Sequence, residues 1–250
     1  MISRFLQYLN LVIAVFILFS ILVFSGLYAW LSKDLPQLPQ NLEHINLSLP
    51  TEIYSADGER IKVLGERHPV GLEDIAPEFL KAIIAVEDSR FYHHSGIDHR
   101  ALIRALMANL RTKRIVQGGS TITQQLSKNL FFSFERNWVR KIKELMVAFQ
   151  LEVTFGKDRI LEAYSNQIYF GSGAYGVEEA AQTYFNRRAR DLTLLQSAML
   201  AGLPNSPNSA NPFVHYEKAM KRTNYVLKRM VSERLISVQQ KENALNSIID

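Results

Sequence analysis

Residues 118–129 read Gly118-Gly119-Ser120-Thr121-Ile122-Thr123-Gln124-Gln125-Leu126-Ser127-Lys128-Asn129. Hydroxyls, amides and one ammonium stand together in what reads as a loop followed by a helix start. A buried core gains nothing from so many polar groups in a row, whereas an anionic ligand does. Upstream lies Glu87-Asp88-Ser89-Arg90-Phe91-Tyr92-His93-His94-Ser95-Gly96, and downstream Arg140-Lys141-Ile142-Lys143-Glu144. Together the three segments supply two separated carboxylates, Glu87 and Glu144, and several fixed cations.

Glu87 closes an apolar helix. A carboxylate there, partly desolvated, has a raised pKa and can move a proton; the plainer reading is an exposed helix-terminal acid. His93 and His94 are adjacent, so on a helix they point to different sides. No third ligand has the right spacing, and no metal site is expected. Glu144 sits one turn after Arg140. As an exposed pair these would contribute about 0.3–0.5 kcal/mol. Lys141 and Lys143 crowd the same segment, however, and Lys128 and Arg136 extend the positive supply. Such a set suits a pyrophosphate, which guanidinium binds bidentately and ammonium as a point charge. Ser120 can cap the helix start, whose free N–H groups would add an anion site. The aromatic run Leu130-Phe131-Phe132-Ser133-Phe134 reads equally as core packing or as a surface that dips into lipid.

These residues need positioning elements. Glu52 to Leu64 alternates apolar and polar residues around Asp57-Gly58, a hairpin signal. After Pro77 the period is helical. Phe79, Ala82, Ile83 and Val86 mark one helix. Asp98 caps a second, with Leu102, Ile103, Leu106 and Leu110 on one face and Arg100, Arg104 and Arg111 on the other. A long helix is predicted over 138–154 with Val139, Ile142, Leu145, Met146 and Phe149 inward. Asp158 caps the next. Another runs over 191–201 and ends at Gly202, and a last amphipathic helix spans 216–232.

The chain has 250 residues, 47% hydrophobic and 21% charged, with no cysteine and a net charge of +5. That composition excludes a disordered polymer, disulfide staples and thiolate metal sites. The positive balance suits nucleic acid, anionic lipid or phosphate-bearing substrates. From Phe5 to Ser32 there is no charged side chain. A span needs roughly 20 apolar residues, and a signal-peptide core is only about 7–15, so an uncleaved membrane anchor is expected. Arg4 places the short end in the cytoplasm, Tyr28 and Trp30 suit the outer interface, and the rest lies outside the inner (cytoplasmic) membrane. Basic residues beyond the membrane argue against nucleic acid as a partner.

The motifs resemble glycosyltransferase family 51, the peptidoglycan glycosyltransferase domain of class A penicillin-binding proteins and monofunctional transglycosylases. The family pattern Glu-Asp-x-x-Phe-x-x-His-x-Gly matches Glu87, Asp88, Phe91, His94 and Gly96. Its second pattern matches Gly118 through Asn129, and Arg-Lys-x-x-Glu matches Arg140, Lys141 and Glu144. Further matches are Lys157, Ile160, Leu161, Glu162, Tyr164, Asn166 and Tyr169 to Gly171, then Leu192-Thr193 through Pro204. The likeness covers about residues 50 to 235. Ser165 replaces a usual leucine and Ala210 a usual aromatic.

The resemblance implies a mainly α, two-lobed, lysozyme-like domain, with an N-terminal transmembrane helix and a small β-hairpin. It implies lipid II as acceptor and a lipid-linked glycan strand as donor, joined by a β-1,4 bond with inversion and release of undecaprenyl pyrophosphate. Glu87 would be the general base. Glu144 would join it in the catalytic set, orienting cations or donor rather than transferring a proton. Asp88, Phe91, His94, Ser120, Thr121, Gln125, Lys128, Asn129, Arg136, Arg140 and Lys141 would form the substrate-binding set. No cofactor is required; a divalent cation (Mg or Mn) is a candidate at the pyrophosphate. Partners would be the cytoplasmic membrane and cell-wall synthesis proteins. A lysozyme-like lytic enzyme is the alternative.

The expected organisation is an anchor over 1–32, a linker over 33–50 and the glycosyltransferase domain over 51–235. Residues 236–250 would be a C-terminal tail or the start of a linker to a transpeptidase domain. The hairpin resembles the bifunctional proteins, yet no Ser-x-x-Lys motif of that second domain occurs.

Overall fold

Helix α1 (Ile2–Ser32) holds an uncharged stretch, Gln7–Ser32, of 26 residues with mean hydropathy 2.7, none of whose most apolar window is buried by the rest of the chain. At about 1.5 Å per residue it is long enough to cross a bilayer, and it fits a transmembrane anchor. The computed structural model describes residues 2–40, 42, 51–64, 67–114, 118–132 and 137–247. Arg136 and part of the aromatic run, Ser133 and Phe134, lie outside the described residues, as does most of the expected linker.

Strands β1 (Thr51–Tyr54) and β2 (Arg60–Leu64) pair antiparallel around Asp57-Gly58, as the alternation predicts. The remainder is helical: α2 (Pro77–Glu87), α3 (His99–Thr112), α4 (Ile122–Phe131), α5 (Trp138–Thr154) and α6 (Lys157–Gln167). After the two-stranded β3 (Tyr169–Gly171) and β4 (Ala174–Tyr175) come α7 (Val177–Phe185), α8 (Leu194–Gly202), α9 (Tyr216–Ser232) and α10 (Val238–Leu245). The fold is mainly α, with only two small sheets among the described residues.

Two helix groups build the core. In one, α8 packs against α2 and α9; in the other, α4 packs against α5 and α6. Phe79, Ile83, Ile122, Leu126, Leu151, Ile160 and Tyr164 join them in one fully buried cluster. At about 1.5–3 kcal/mol per large side chain, this cluster fixes how the C-terminal end of α2 faces the N-terminal end of α4.

Several expectations need correction. Thr121, not Ser120, caps α4, accepting from the Gln124 N–H at 3.2 Å. Gly156 precedes α6, and Asp158 lies within its first turn. Helix α8 starts after Thr193, whose hydroxyl and Gln196 form a capping box, while Ala189–Asp191 is a separate 3-10 turn. The buried face of α5 is Glu144, Val147, Ala148 and Leu151, leaving Val139, Ile142 and Phe149 exposed. The helix is rotated from the apolar prediction so that the Glu144 carboxylate is enclosed, met by Arg140 and Lys141 of the same helix. On α3 the apolar row Leu102, Ile103, Leu106 and Leu110 is exposed; only Ala105 is buried. Residues 238–245 do not trail away: α10 packs on α8 and α9 and buries Ala244.

Candidate active site

Glu87 ends α2, where the chain turns out of the helix at Asp88. It is half-buried on the wall of an 810 Å³ cleft. Its Oε2 accepts from Gln125 Nε2 at 2.8 Å and its Oε1 from Asn205 Nδ2 at 2.6 Å. Burial pushes the carboxyl above the ordinary carboxylate range. The Gln125 hydrogen bond and the Arg222 charge oppose that rise, while neighbouring Asp88 adds to it. The plainer reading, a solvated helix-end acid, does not hold.

Asp88 is tied inward. Its carboxylate meets His94 Nε2 at 2.9 Å and accepts from the Ile122 N–H at 3.1 Å. His94 is itself buried, and Phe91 beneath it is fully enclosed, with Lys157 Nζ 4.4 Å from its ring centroid. The structure buries the side chains of both Phe91 and His94, and His94 holds the Asp88 carboxylate. Gly96 follows at φ +80°, within 3.1 Å of the Ala148 carbonyl from where a Cβ would stand, and its own carbonyl accepts from Thr121 and Gln124. Thr121 is buried in that network, and it does not face the cleft as a free hydroxyl.

Sharing the cleft with Glu87 are Ser120 and Lys128, both exposed, with Arg104 from α3 and Arg222 and Arg229 from α9. The start of α4 offers less to an anion than predicted. Asp88 already takes the Ile122 N–H and Thr121 Oγ1 the Gln124 N–H. The anion-binding capacity therefore rests on side chains. Asn129 is exposed on α4 beside Lys128 but does not line the cleft.

Glu144 is 1% exposed, unlike a surface partner of Arg140. One oxygen accepts from Arg140 Nη1 and the other from Lys141 Nζ at 3.1 Å. Lys141 Nζ also reaches Ser120 Oγ at 3.2 Å and so borders the cleft rim. Arg140 lies on an adjoining hollow with Phe131, Phe132 and Lys143, below the end of α1. Lys143 pairs with Asp34 at 3.2 Å, which removes it from the cluster that spacing suggested.

Asn205 and Arg222 are not marked by the sequence motifs, and Tyr164 is marked there without a role at the site. Asn205 and Arg222 act on Glu87 from far along the chain, and Tyr164 donates to Gln125 Oε1 at 3.2 Å. Asn205 directly follows the motif ending at Pro204, and Arg222 and Tyr225 recur at i, i+3 on α9 with a cation–π contact of 4.8 Å. Those were the available signals.

The sequence model described as transglycosylase matches residues 57–231. The chain is 48% identical over 231 residues to penicillin-binding protein 1A of Aquifex aeolicus, covering 90% of this chain and 32% of that protein. It is 46% identical over 215 residues to penicillin-binding protein 1A of Neisseria gonorrhoeae, covering 84% and 27%. Against the Escherichia coli protein of the same name it is 44% identical over 239 residues, covering 95% and 28%. A crystal structure of penicillin-binding protein 1A from Haemophilus influenzae matches with a TM-score of 0.49 and 29% identity over 82% of this chain and 21% of that one. The chain thus spans about a third or less of the length of these relatives. The match over residues 57–231 covers well over half of the sequence, and this chain belongs to the transglycosylase family.

Proposed function

We propose that the chain is a peptidoglycan glycosyltransferase that polymerises lipid II at the Glu87 cleft. Glu87 removes the proton from the acceptor sugar's 4-hydroxyl as that oxygen attacks the donor's anomeric carbon. The carbon–oxygen bond to the pyrophosphate breaks, the configuration inverts from α to β, and undecaprenyl pyrophosphate leaves with the electron pair. Lys128, Lys141 and Arg140 offset the charge growing on that leaving group, and Glu144 holds the last two in place. Arg136 is part of the same proposed set.

One observation carries this reading: a half-buried carboxylate of raised pKa shares one cleft with an exposed lysine and serine. Among the described residues, Glu87 Oε1 accepts from exposed Asn205, which an incoming hydroxyl can displace. Asp88 and Asp98 are engaged by His94, Arg90 and helix N–H groups. A divalent ion at the pyrophosphate would therefore be held by substrate oxygens rather than by these carboxylates.

The proposed organisation is an anchor over 1–32 and a catalytic unit from 51 through α10, oriented with α1 in the inner membrane and the cleft on its outer side. The exposed apolar row of α3 suits lipid contact near a lipid-linked substrate. The test is a gel assay of lipid II polymerisation. Wild type should make polymer and Glu87→Gln should not. Soluble fragments released from finished peptidoglycan, with no polymer from lipid II, would replace this reading with a lytic one.

A further inference from the structure

The Gln125 side chain has two ends, and only one suits an ionised Glu87. Its Nε2 points at Glu87 Oε2 at 2.8 Å and its Oε1 at the Tyr164 hydroxyl at 3.2 Å. Tyr164 sits on α6, fully buried, and burial pushes its phenol well above the ordinary tyrosine range, with the nearby Glu87 and Asp88 charges adding to the effect. It therefore remains a hydroxyl donor. Rotating the amide by half a turn would set Gln125 Oε1 against Glu87 Oε2, two acceptors face to face. It would also turn Gln125 Nε2 towards Tyr164, whose hydrogen would lose its acceptor in a closed site. Both losses oppose the rotation, and Tyr164 is responsible for the second.

We propose that Tyr164 is a positioning residue: acting through Gln125, it fixes which end of the amide meets Glu87, so that the base is always offered a hydrogen-bond donor. The inference rests on Glu87 being the base of the proposed reaction. With Tyr164 in place, the hydrogen bond favours the ionised carboxylate that must accept the substrate's proton. Without it, the amide can turn and take a hydrogen from protonated Glu87, so the neutral, unreactive form gains.

Other charges also face Glu87. Asp88 adjoins it, Lys128 looks across from α4, and Arg222, Arg229 and Glu233 line the α9 side. Asp98 and Arg104 stand on α3 at the same cleft. All of them remain in Tyr164→Phe, so a change in pH dependence reports the amide and not a new charge.

The experiment measures kcat/KM for lipid II polymerisation against pH, using the full chain in detergent micelles. Tyr164→Phe should move the acidic limb upward by about half to one pH unit. Gln125→Leu, which removes the donor itself, should move it at least as far. In the double variant Tyr164→Phe should add nothing, because its effect passes through Gln125.

A merely structural tyrosine would lower the melting temperature and the rate at every pH while leaving the limb where it was, and that result overturns the proposal. So does a further limb shift from Tyr164→Phe on the Gln125→Leu background. If Tyr164→Phe does not fold, Gln125→Leu still decides, since an unmoved limb there refutes the relay. Near-normal polymer from Glu87→Gln would instead remove the base, and with it the function proposed above.

Discussion

The Asp88 carboxylate lies 3.1 Å from the backbone N–H of Ile122, so one hydrogen bond joins the end of α2 to the start of α4. The same carboxylate meets buried His94 at 2.9 Å. Glu87 is the preceding residue, so its distance to Ser120, Gln125 and Lys128 depends on this join. Removing a buried carboxylate strands both of its partners. Asp88→Ala should cost about 3 kcal/mol, measurable by urea unfolding, and should abolish polymerisation. A variant as stable as wild type would show that the join carries no energy.

Glu144 tests whether the cations are held or merely present. Its buried carboxylate separates Arg140 from Lys141, and leaving those two without an anion costs both Coulomb energy and packing. Glu144→Gln keeps the volume and removes the charge. The expected loss is about 2–3 kcal/mol, below the usual figure for a buried pair because Lys141 is 37% exposed. Polymerisation should slow at least about tenfold, mainly in kcat, since the cations act on charge that develops as the bond breaks. Unchanged kcat with a raised KM would assign them to ground-state binding instead.

Much of this arrangement is readable along the chain, and what escapes does so for physical reasons. The limits of α5 and α9 and the Asp98 cap follow from local period and capping chemistry, which neighbours in sequence determine. The identity of the α4 cap does not, because Ser120 and Thr121 are equally suited. Thr121 wins through a bond to the Gly96 carbonyl 25 residues away. The crowding of cations argues against an exposed Glu144 pair, but the depth of its burial depends on how α5 rotates against α4, which no local spacing sets. Asn205 and Arg222 reach Glu87 from more than a hundred residues away, and no spacing rule connects them. The family motifs marked Phe91 and His94 without distinguishing residues that touch a ligand from residues that hold those that do.

Glu87 also makes a prediction about stability and pH. Its folded pKa is raised, so the unfolded chain loses this proton at a lower pH than the folded one. Above the folded pKa the native state carries the full cost of a buried charge. That cost fades as pH falls through the folded value and is gone below the unfolded one. Glu87→Gln has no such charge. The melting temperature of wild type relative to Glu87→Gln should therefore rise as pH is lowered from about 8 to about 4. A difference that stays flat would mean that burial does not raise this carboxyl.

Gly171 packs against the segment that carries Asn205 to Glu87. It adopts φ +91°, and a Cβ there would stand 2.5 Å from the Pro207 carbonyl oxygen. Neither the backbone conformation nor the contact can relax cheaply, because both partners are main chain. Gly171→Ala should cost about 2 kcal/mol or more, seen as a lower melting temperature. The 204–207 segment should shift with it, taking Asn205 from Glu87 and lowering activity beyond what the stability loss explains. Full activity at a temperature where the variant is folded would separate Asn205 from the base.

Anchor and domain meet at a definable point, which gives a test by truncation. The apolar body of α1 is not buried by the described residues, whereas Leu31 is 5% exposed and Leu35 and Leu38 pack on the core. Asp34 adds its contact with Lys143 on α5, the helix that carries the cation set. Deleting residues 2–29 should leave the melting temperature close to that of the whole chain, since no buried contact is lost. Extending the deletion to 38 removes three packed leucines and should cost about 2 kcal/mol or more. Both truncations should polymerise lipid II poorly in vesicles, because substrate and enzyme no longer share a surface. In detergent only the longer deletion should be slower, because it alone disturbs α5. Equal stability of the two truncations would show that the residues after α1 are a passive tether.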